Sequence, residues 1–441
     1  DALTGKNIRA AAGNSTFLNG DISMTGLPDI NQTFIDFKAN DFRTTYADAV
    51  AIVPAMRSVT SPDLRSITYL TFKGSFTGFI RDFVTFGTIE TNLGTVTSDL
   101  NMKLPAKQEP VYSGTIATEN FNLGKFLGEK DLGQISMKGI VKGRGFKATE
   151  RNATVDGTIR YADYQQYRYH NITLKGKLDK KLFDGIASID DPNLDFTLNG
   201  VIYYNQKVPR FDLLADLRYA QLKSLHITKD DIRAKGKFNL DFISNDIDNF
   251  LGKARVTEAE ITRNGQPLPF DSLVIDSYIE NGQKTFNFAS NEFRGSVIGD
   301  FSIRDLPATF TYFLSKYYPA YIQPPARLPK NQSISFDITT LWVEDYLQLI
   351  DTSMSGLNNS HFYGKLDLGQ NELDLHADVP QFKYKQYNFD DVGIAATGNR
   401  DSISLTGVAK NIRINDSLNV PLTTFHVMAR NDSSRISIQT G

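Results

Sequence analysis

From residue 232 to 242 the chain alternates without a break. Ile232, Ala234, Gly236, Phe238, Leu240 and Phe242 are apolar or small, and Arg233, Lys235, Lys237, Asn239 and Asp241 lie between them. A period of two puts one set on each face of a β-strand, here one greasy and one wet. The same phase recurs at Leu194, Phe196, Leu198, Gly200 and Ile202, and again at Leu373, Leu375, Ala377 and Val379. Shorter stretches around Ile35, Phe72, Ile172, Leu213 and Leu405 repeat it. Asn-Gly pairs at 19–20, 199–200, 264–265 and 281–282 and Asp-Asp pairs at 190–191, 230–231 and 390–391 read as turns. The spacing predicts roughly two to three dozen short antiparallel strands of about five to eight residues.

Three windows carry helical spacing instead. They are 44–56, with Ala47, Val50 and Ala51 on one face; 308–318, stopped by Pro319; and 341–350, with Trp342, Tyr346, Leu347 and Ile350. The plain reading of those aromatics is core packing. The loop 322–329 holds three prolines, which forbid regular structure. It divides the chain into expected modules 1–322 and 323–441.

Weak internal repetition runs through the chain. Gln166-Tyr167-Arg168-Tyr169-His170-Asn171-Ile172-Thr173-Leu174 resembles Gln386-Tyr387-Asn388-Phe389-Asp390-Asp391-Val392-Gly393-Ile394. Leu174-Lys-Gly-Lys-Leu178 echoes Ala234-Lys-Gly-Lys-Phe238, and Phe211-Asp-Leu-Leu-Ala-Asp-Leu217 echoes Leu373-Asp-Leu-His-Ala-Asp-Val379. One supersecondary unit is used again and again.

A sheet with one apolar face must cover it, and three short helices cannot cover two dozen strands. Two arrangements satisfy the pattern. The sheet folds onto itself as a dry sandwich or solenoid, or it curls into an open trough filled by something apolar from outside. Alternation fits both.

Composition narrows the function classes. Lys plus Arg is 48 and Asp plus Glu is 50, so the net charge of −2 argues against a nucleic-acid binder driven by phosphate neutralisation. With no cysteine there is no disulfide framework, thiolate metal site or cysteine nucleophile. The five histidines, His170, His226, His361, His376 and His426, lack local metal-ligand spacing. The least polar stretch, 47–56, carries Asp48 and Pro54 and falls far short of a membrane span. Because the chain starts at Asp1 rather than Met, without a signal-peptide pattern, a processed chain or a fragment is expected.

No catalytic constellation emerges. Gly74-Ser-Phe-Thr-Gly78 has its serine in the wrong place for a nucleophile elbow. Gly143-Arg-Gly145 lacks the third glycine of a dinucleotide fingerprint, and 244–249 lacks the glycine and terminal Glu of a calcium loop. The acidic pairs fit solvated turns. The tyrosines at 161, 164, 167 and 169 fit strand packing or a binding ladder. Asp271-Ser-Leu, Asp401-Ser-Ile and Asp416-Ser-Leu resemble an acceptor signal for periplasmic O-glycosylation. No cofactor, metal or catalytic residue is expected.

The order of several degenerate motifs carries a family resemblance. Asp190-Asp191-Pro192-Asn193-Leu194-Asp195-Phe196-Thr197-Leu198-Asn199-Gly200, then Val208-Pro209-Arg210-Phe211-Asp212 and Ala215-Asp216-Leu217, resembles the C-terminal half of TamB-type proteins of the AsmA-like superfamily. So do Phe72-Lys-Gly74-Ser-Phe-Thr-Gly78-Phe with Thr91-Asn-Leu-Gly94, and Tyr112-Ser-Gly114 through Asn120-Phe-Asn-Leu-Gly124 to Gly145. The likeness is clearest from 64 to 240 and loosest after 330.

The resemblance implies an all-β fold: an elongated, repeated antiparallel sheet curled into a groove (a β-taco) with an apolar interior and a few short helices. It implies a non-enzymatic bridge across the Gram-negative periplasm, shielding phospholipid acyl chains between inner and outer membrane. It also implies an outer-membrane insertase of the TamA or BamA type as partner, and attachment to the inner membrane through a segment not recognisable here. The residues expected to line the groove are the apolar phase of the cleanest strands: Leu70, Phe72, Leu194, Phe196, Leu198, Leu213, Leu217, Ile232, Phe238, Leu240 and Phe242. Each also reads as filler of a dry β core. The rival expectation is a lipid-free scaffold, either a β-solenoid surface protein or an assembly factor for outer-membrane proteins.

Overall fold

The computed structural model describes residues 1–52, 54–58, 62–105, 108–145, 152–204, 206–263, 265–327, 332–351, 353–399, 401–415 and 418–441. Residue 53 of the first helical window, Asn264 of the third Asn-Gly pair, 328–331 around the proline loop and 416–417 of the last Asp-Ser tripeptide lie outside them.

As expected, the chain is all-β, with few short helices. Among the described residues, 26 strands form one antiparallel hydrogen-bonded sheet that does not close into a barrel. The chain divides into two units: Asp1–Lys207 with Leu213–Arg233, and Val208–Asp212 with Ala234–Gly441.

The first strands are β1 (Ala2–Ala12), β2 (Thr16–Thr25), β3 (Phe34–Thr45), β4 (Tyr69–Phe79), β5 (Asp82–Thr91), β6 (Gly94–Lys103) and β7 (Val111–Asn122). There follow β8 (Leu132–Arg144), β9 (Asn152–Tyr164), β10 (Tyr167–Asp179), β11 (Leu182–Asp191), β12 (Leu194–Tyr203) and β13 (Arg210–Gln221). Then come β14 (Ile232–Ile243), β15 (Leu251–Arg263), β16 (Gln266–Glu280), β17 (Gln283–Ser290), β18 (Phe293–Asp300), β19 (Ser333–Thr340) and β20 (Met354–Gly356). The last are β21 (His361–Asp367), β22 (Glu372–Tyr384), β23 (Tyr387–Gly398), β24 (Ile403–Asn415), β25 (Leu418–Arg430) and β26 (Ser433–Thr440). The helices are α1 (Tyr46–Ile52), α2 (Leu123–Leu127), α3 (Leu306–Tyr317) and α4 (Glu344–Ile350), with 3-10 turns at Pro54–Ser58, Leu64–Ser66 and Ile247–Asn249.

All three helical windows hold a helix, and α2 is a helix that periodicity missed. It is one turn long, too short to show a period. Its signal is local: Asn122 accepts the Lys125 N–H at one end, and Gly128 closes the other at φ +78°.

Two groups of expected turns lie inside strands instead. Asn19-Gly20 and Asn199-Gly200 sit within β2 and β12, Asp390-Asp391 within β23, and Asp190-Asp191 is the paired end of β11, one step before its turn. Gly200 is there because its φ is +149°, which a side chain resists. Asp391, at φ +49°, is a kink in its strand.

In the first unit each strand pairs with its sequence neighbours from β1 to β12. Directly opposite residues share a face, so the register defines rows across the sheet. One row runs Leu18, Phe42, Phe72, Ile89, Val96, Thr118, Met137, Ile159, Ile172, Ile189, Phe196, each paired with the next. Beside it runs a row of smaller residues that includes Gly20, Ala39, Gly74, Gly87 and Ser98. Those glycines make room for rings. A Cβ on Gly74 would stand 2.7 Å from Phe72 Cζ, and one on Gly87 2.9 Å from it, so the Phe72 ring lies across both.

In the second unit the corresponding row is Ala254, Ile275, Phe288, Gly295, Ile338, Phe362, Ala377, Ile394, Gly407, Phe425, Ile438. β19 pairs directly with β21, and β20 lies against the far end of β22.

Dry core is local. In the second unit α3 covers part of the apolar face: Phe313 and Tyr317 pack with Phe301, Ile334, Leu366, Leu368, Leu373 and Ala429. The Tyr317 hydroxyl donates to the Asn399 carbonyl at 2.9 Å, which fixes the end of the helix. In the first unit a smaller cluster of Leu93, Phe121 and Ile135 sits under Leu123 and Phe126 of α2.

Candidate functional site

The long apolar row of the first unit is half-covered along its whole length. None of its eleven residues, Leu18 to Phe196, is buried, and none is fully exposed. Side chains packed in a dry core would be sealed. The total surface agrees: the chain exposes 26177 Å². Two separate compact domains of half its mass would together expose about 20,000 Å².

Each unit opens into an apolar groove. The first, of about 470 Å³, lies among the ends of β9 to β13 and the segment that follows β13. Ile172, Ile189, Leu194, Phe196 and Leu217 form its floor and Leu222, Leu225 and Ile227 close one side. Leu225 is buried and donates its N–H to the Gln221 carbonyl at 3.1 Å, so the segment is anchored. Ile227 stays 62% exposed although it lines the groove, as expected at an open mouth.

Polar groups hold this end in shape. Asp191 accepts from the Asn193 N–H at 2.8 Å, the His170 N–H at 3.0 Å, the His170 ring and the Tyr167 hydroxyl. Burial raises the Asp191 carboxyl, but these hydrogen bonds outweigh it and hold the group below the usual carboxylate range. Tyr167 in turn packs edge-on against Tyr169, a groove residue, at 4.7 Å. Burial, with the Asp191 bond, pushes the Tyr167 phenol up to about 12.

The second groove, of about 380 Å³, lies in the second unit, over β21 to β25 and the segment before them. Its lining is apolar throughout, with Phe362, Val379, Phe382, Phe389, Val392 and Phe425 the bulkiest members. Phe382 faces Phe389 across the β22–β23 hairpin, rings 6.0 Å apart.

The repeated segments build both grooves. Tyr169 and Ile172 line the first, and their counterparts Phe389 and Val392 line the second. Asn171 and Asp391, also equivalent, both adopt φ +49°. Leu217 of the other repeat lines the first groove, and its counterpart Val379 the second.

Of the expected groove residues, Leu194, Phe196 and Leu217 come together in the first groove. Phe72 and Phe196 belong to the same apolar row, with Leu198 one row over, opposite Ala187. Leu70 faces Thr44 and Thr91 near the end of β4. Leu213 is buried on β13. Ile232, Phe238, Leu240 and Phe242 alternate along β14, half-buried, and Phe242 rests between Phe211 and Phe250 at 4.9 and 5.1 Å. Apart from the first three, these residues line neither groove. Sequence reasoning missed Phe362, Phe382 and Phe389. The 386–394 repeat was the signal for Phe389, since its partner segment carries Tyr169.

The opposite phase faces solvent and carries ion pairs beside exposed apolar side chains such as Phe86 and Ile140. Lys175 pairs with Asp156 at 3.3 Å, Arg160 with Glu119 at 3.4 Å and Lys103 with Asp82 at 3.0 Å, all largely exposed. Such pairs contribute little to stability, about 0–1 kcal/mol each, and keep that face solvated. Among the described residues no group of acidic and histidine side chains could hold a metal ion, and no helix is long and apolar enough to cross a membrane. Compared with family models, curated proteins and solved structures, the chain matches none.

Proposed function

We propose that this chain is a non-enzymatic periplasmic segment of a TamB/AsmA-like protein that shields phospholipid acyl chains in an apolar groove as they pass between inner and outer membrane. The observation that carries the reading is the row from Leu18 to Phe196, apolar but for Thr118 and half-covered at every position. An acyl chain leaving a bilayer loses about 0.8 kcal/mol per methylene exposed to water, so two full chains lose on the order of 25 kcal/mol. A trough that offers apolar side chains at each step removes most of that barrier. It needs no specific recognition, only the right phase. An insertase of the TamA or BamA type and inner-membrane attachment through another segment are part of this proposal, and rest on the family resemblance.

A second reading has its own support. Under α3 the chain plugs its own apolar face with Phe313 and Tyr317, as a lipid-free assembly scaffold would throughout. Organic extraction of the purified chain followed by mass spectrometry separates the two. Phospholipid at a fixed ratio to protein is the expected result. Protein free of lipid, with no uptake of a pyrene-labelled fatty acid, leaves the scaffold.

A further inference from the structure

The second unit holds a third cavity, of about 760 Å³, with a different chemistry. Its walls include Ile243, Leu251 and Phe301, and beside them Lys284 and Gln332. Lys284 stands in the wrong phase for a lysine. It is paired with Ile279 and Gly299, and Gly299 with Ile334, so it shares the apolar face, and it is only 7% exposed. Its ammonium donates to the Asp248 carbonyl at 2.9 Å and lies 5.4 Å from the Phe301 ring. An ammonium has three donors, and the structure gives this one a single acceptor. Burial pushes its pKa down, a mark of incomplete compensation.

Gln332 is more isolated. It is 1% exposed, and neither its Oε1 nor its Nε2 has a hydrogen-bond partner. Native proteins leave few buried amides in that state. Nearby acids answer the lysine charge only in part: the Asp248 carboxylate attracts it, but burial outweighs that attraction. Asp246 is paired with Arg304 at 2.7 Å, and the Asp248 carboxylate accepts from the Arg304 N–H at 3.1 Å and the Ser302 hydroxyl at 2.9 Å. Asp300 and Asp305 also line the cavity.

We propose that this cavity binds the oxyanion, phosphate or carboxylate, of an amphiphile headgroup, with Lys284 supplying the charge and the Gln332 amide a further donor. Ile243, Leu251 and Phe301 take the first methylenes of the tail. Only the tail contact rests on the acyl-chain reading above; the oxyanion contact stands on Lys284 and Gln332 alone.

Calorimetric titration of the full chain tests this with dodecyl phosphate below its micelle concentration, inorganic phosphate, and dodecyl maltoside as the uncharged control. Wild type is expected to bind dodecyl phosphate, with Lys284→Met and Gln332→Met each weakening it about tenfold or more. Uptake of a pyrene-labelled acyl methyl ester, which has no anion, reads the acyl groove separately in wild type. If inorganic phosphate binds as tightly as dodecyl phosphate with the same variant dependence, the oxyanion site stands and its natural source is free phosphate. The proposal is overturned if neither phosphate binds, or if both variants, folded by circular dichroism, bind dodecyl phosphate like wild type. Absent ester uptake with intact phosphate binding would instead count against the acyl groove and leave this site standing.

Discussion

Ala377→Phe separates an open groove from a filled core by the sign of its effect. Ala377 lies between Phe362 and Ile394 on neighbouring strands and lines the 380 Å³ groove of the second unit. In a packed interior an added ring is an overpacking substitution and costs about 1–3 kcal/mol. For a unit of this size that lowers the melting temperature by roughly 2–4 °C per kcal/mol. In an open groove the ring enters space already present. It then passes from water to apolar neighbours, a gain of up to about 1.5–3 kcal/mol. The expected outcome is a melting midpoint unchanged or raised, together with a fall in the amount of pyrene-labelled fatty acid bound. Thermal denaturation followed by circular dichroism and a fluorescence titration read the two quantities. A loss of about 1 kcal/mol or more with acyl uptake intact would refute the reasoning, because the ring would have met side chains rather than space.

Three further outcomes follow from the geometry. Gly87→Ala places a Cβ 2.7 Å from the Lys73 carbonyl and 2.9 Å from Phe72 Cζ; it should destabilise by about 1–3 kcal/mol, and adding Phe72→Leu should recover part of that in a double-mutant cycle by urea denaturation. Tyr317→Phe removes the hydroxyl bond to Asn399 from a residue 1% exposed, at about 0.5–1.5 kcal/mol by the same assay. Burial pushes the Tyr317 phenol up to about 12, so wild type should lose stability as pH rises from about 10 toward that value and the variant should lose less. Asp191→Asn should be less stable than wild type at neutral pH; because the folded carboxyl sits below the usual range, the wild-type advantage is complete above about pH 4 and fades as pH falls through the folded value. Urea midpoints across pH check this, and a gap independent of pH would count against it.

The strand count and phase were legible because a period of two is written in long strands such as β14 and β12; the strands themselves run longer than the expected five to eight residues, most of them ten or more. Register was not legible. Asn19-Gly20 and Asn281-Gly282 look alike in the sequence, yet the first is mid-strand and the second joins β16 to β17. What distinguishes them is the neighbouring strand: Gly20 sits opposite Ala39, a contact nothing local announces. The groove was half legible for the same reason. Alternation put Leu194, Phe196 and Leu217 on the right face, but Leu222, Leu225 and Ile227 come from an irregular segment with no period. Lys284 breaks the apolar phase of its row, and that break was visible only once β16 to β18 were aligned.

The hairpin order of the sheet carries a consequence for how such a protein changes over time. From β1 to β12 each ribbon pairs only with the one before and the one after, so in that run no distant partner fixes how many there are. Duplicating a pair would lengthen the greasy path by roughly 10 Å, two inter-strand spacings, and leave every other contact in place. The equivalent segments 166–174 and 386–394, with matching kinks at Asn171 and Asp391, are what such copying would leave behind. Reach, in this architecture, is a matter of counting rather than of refolding.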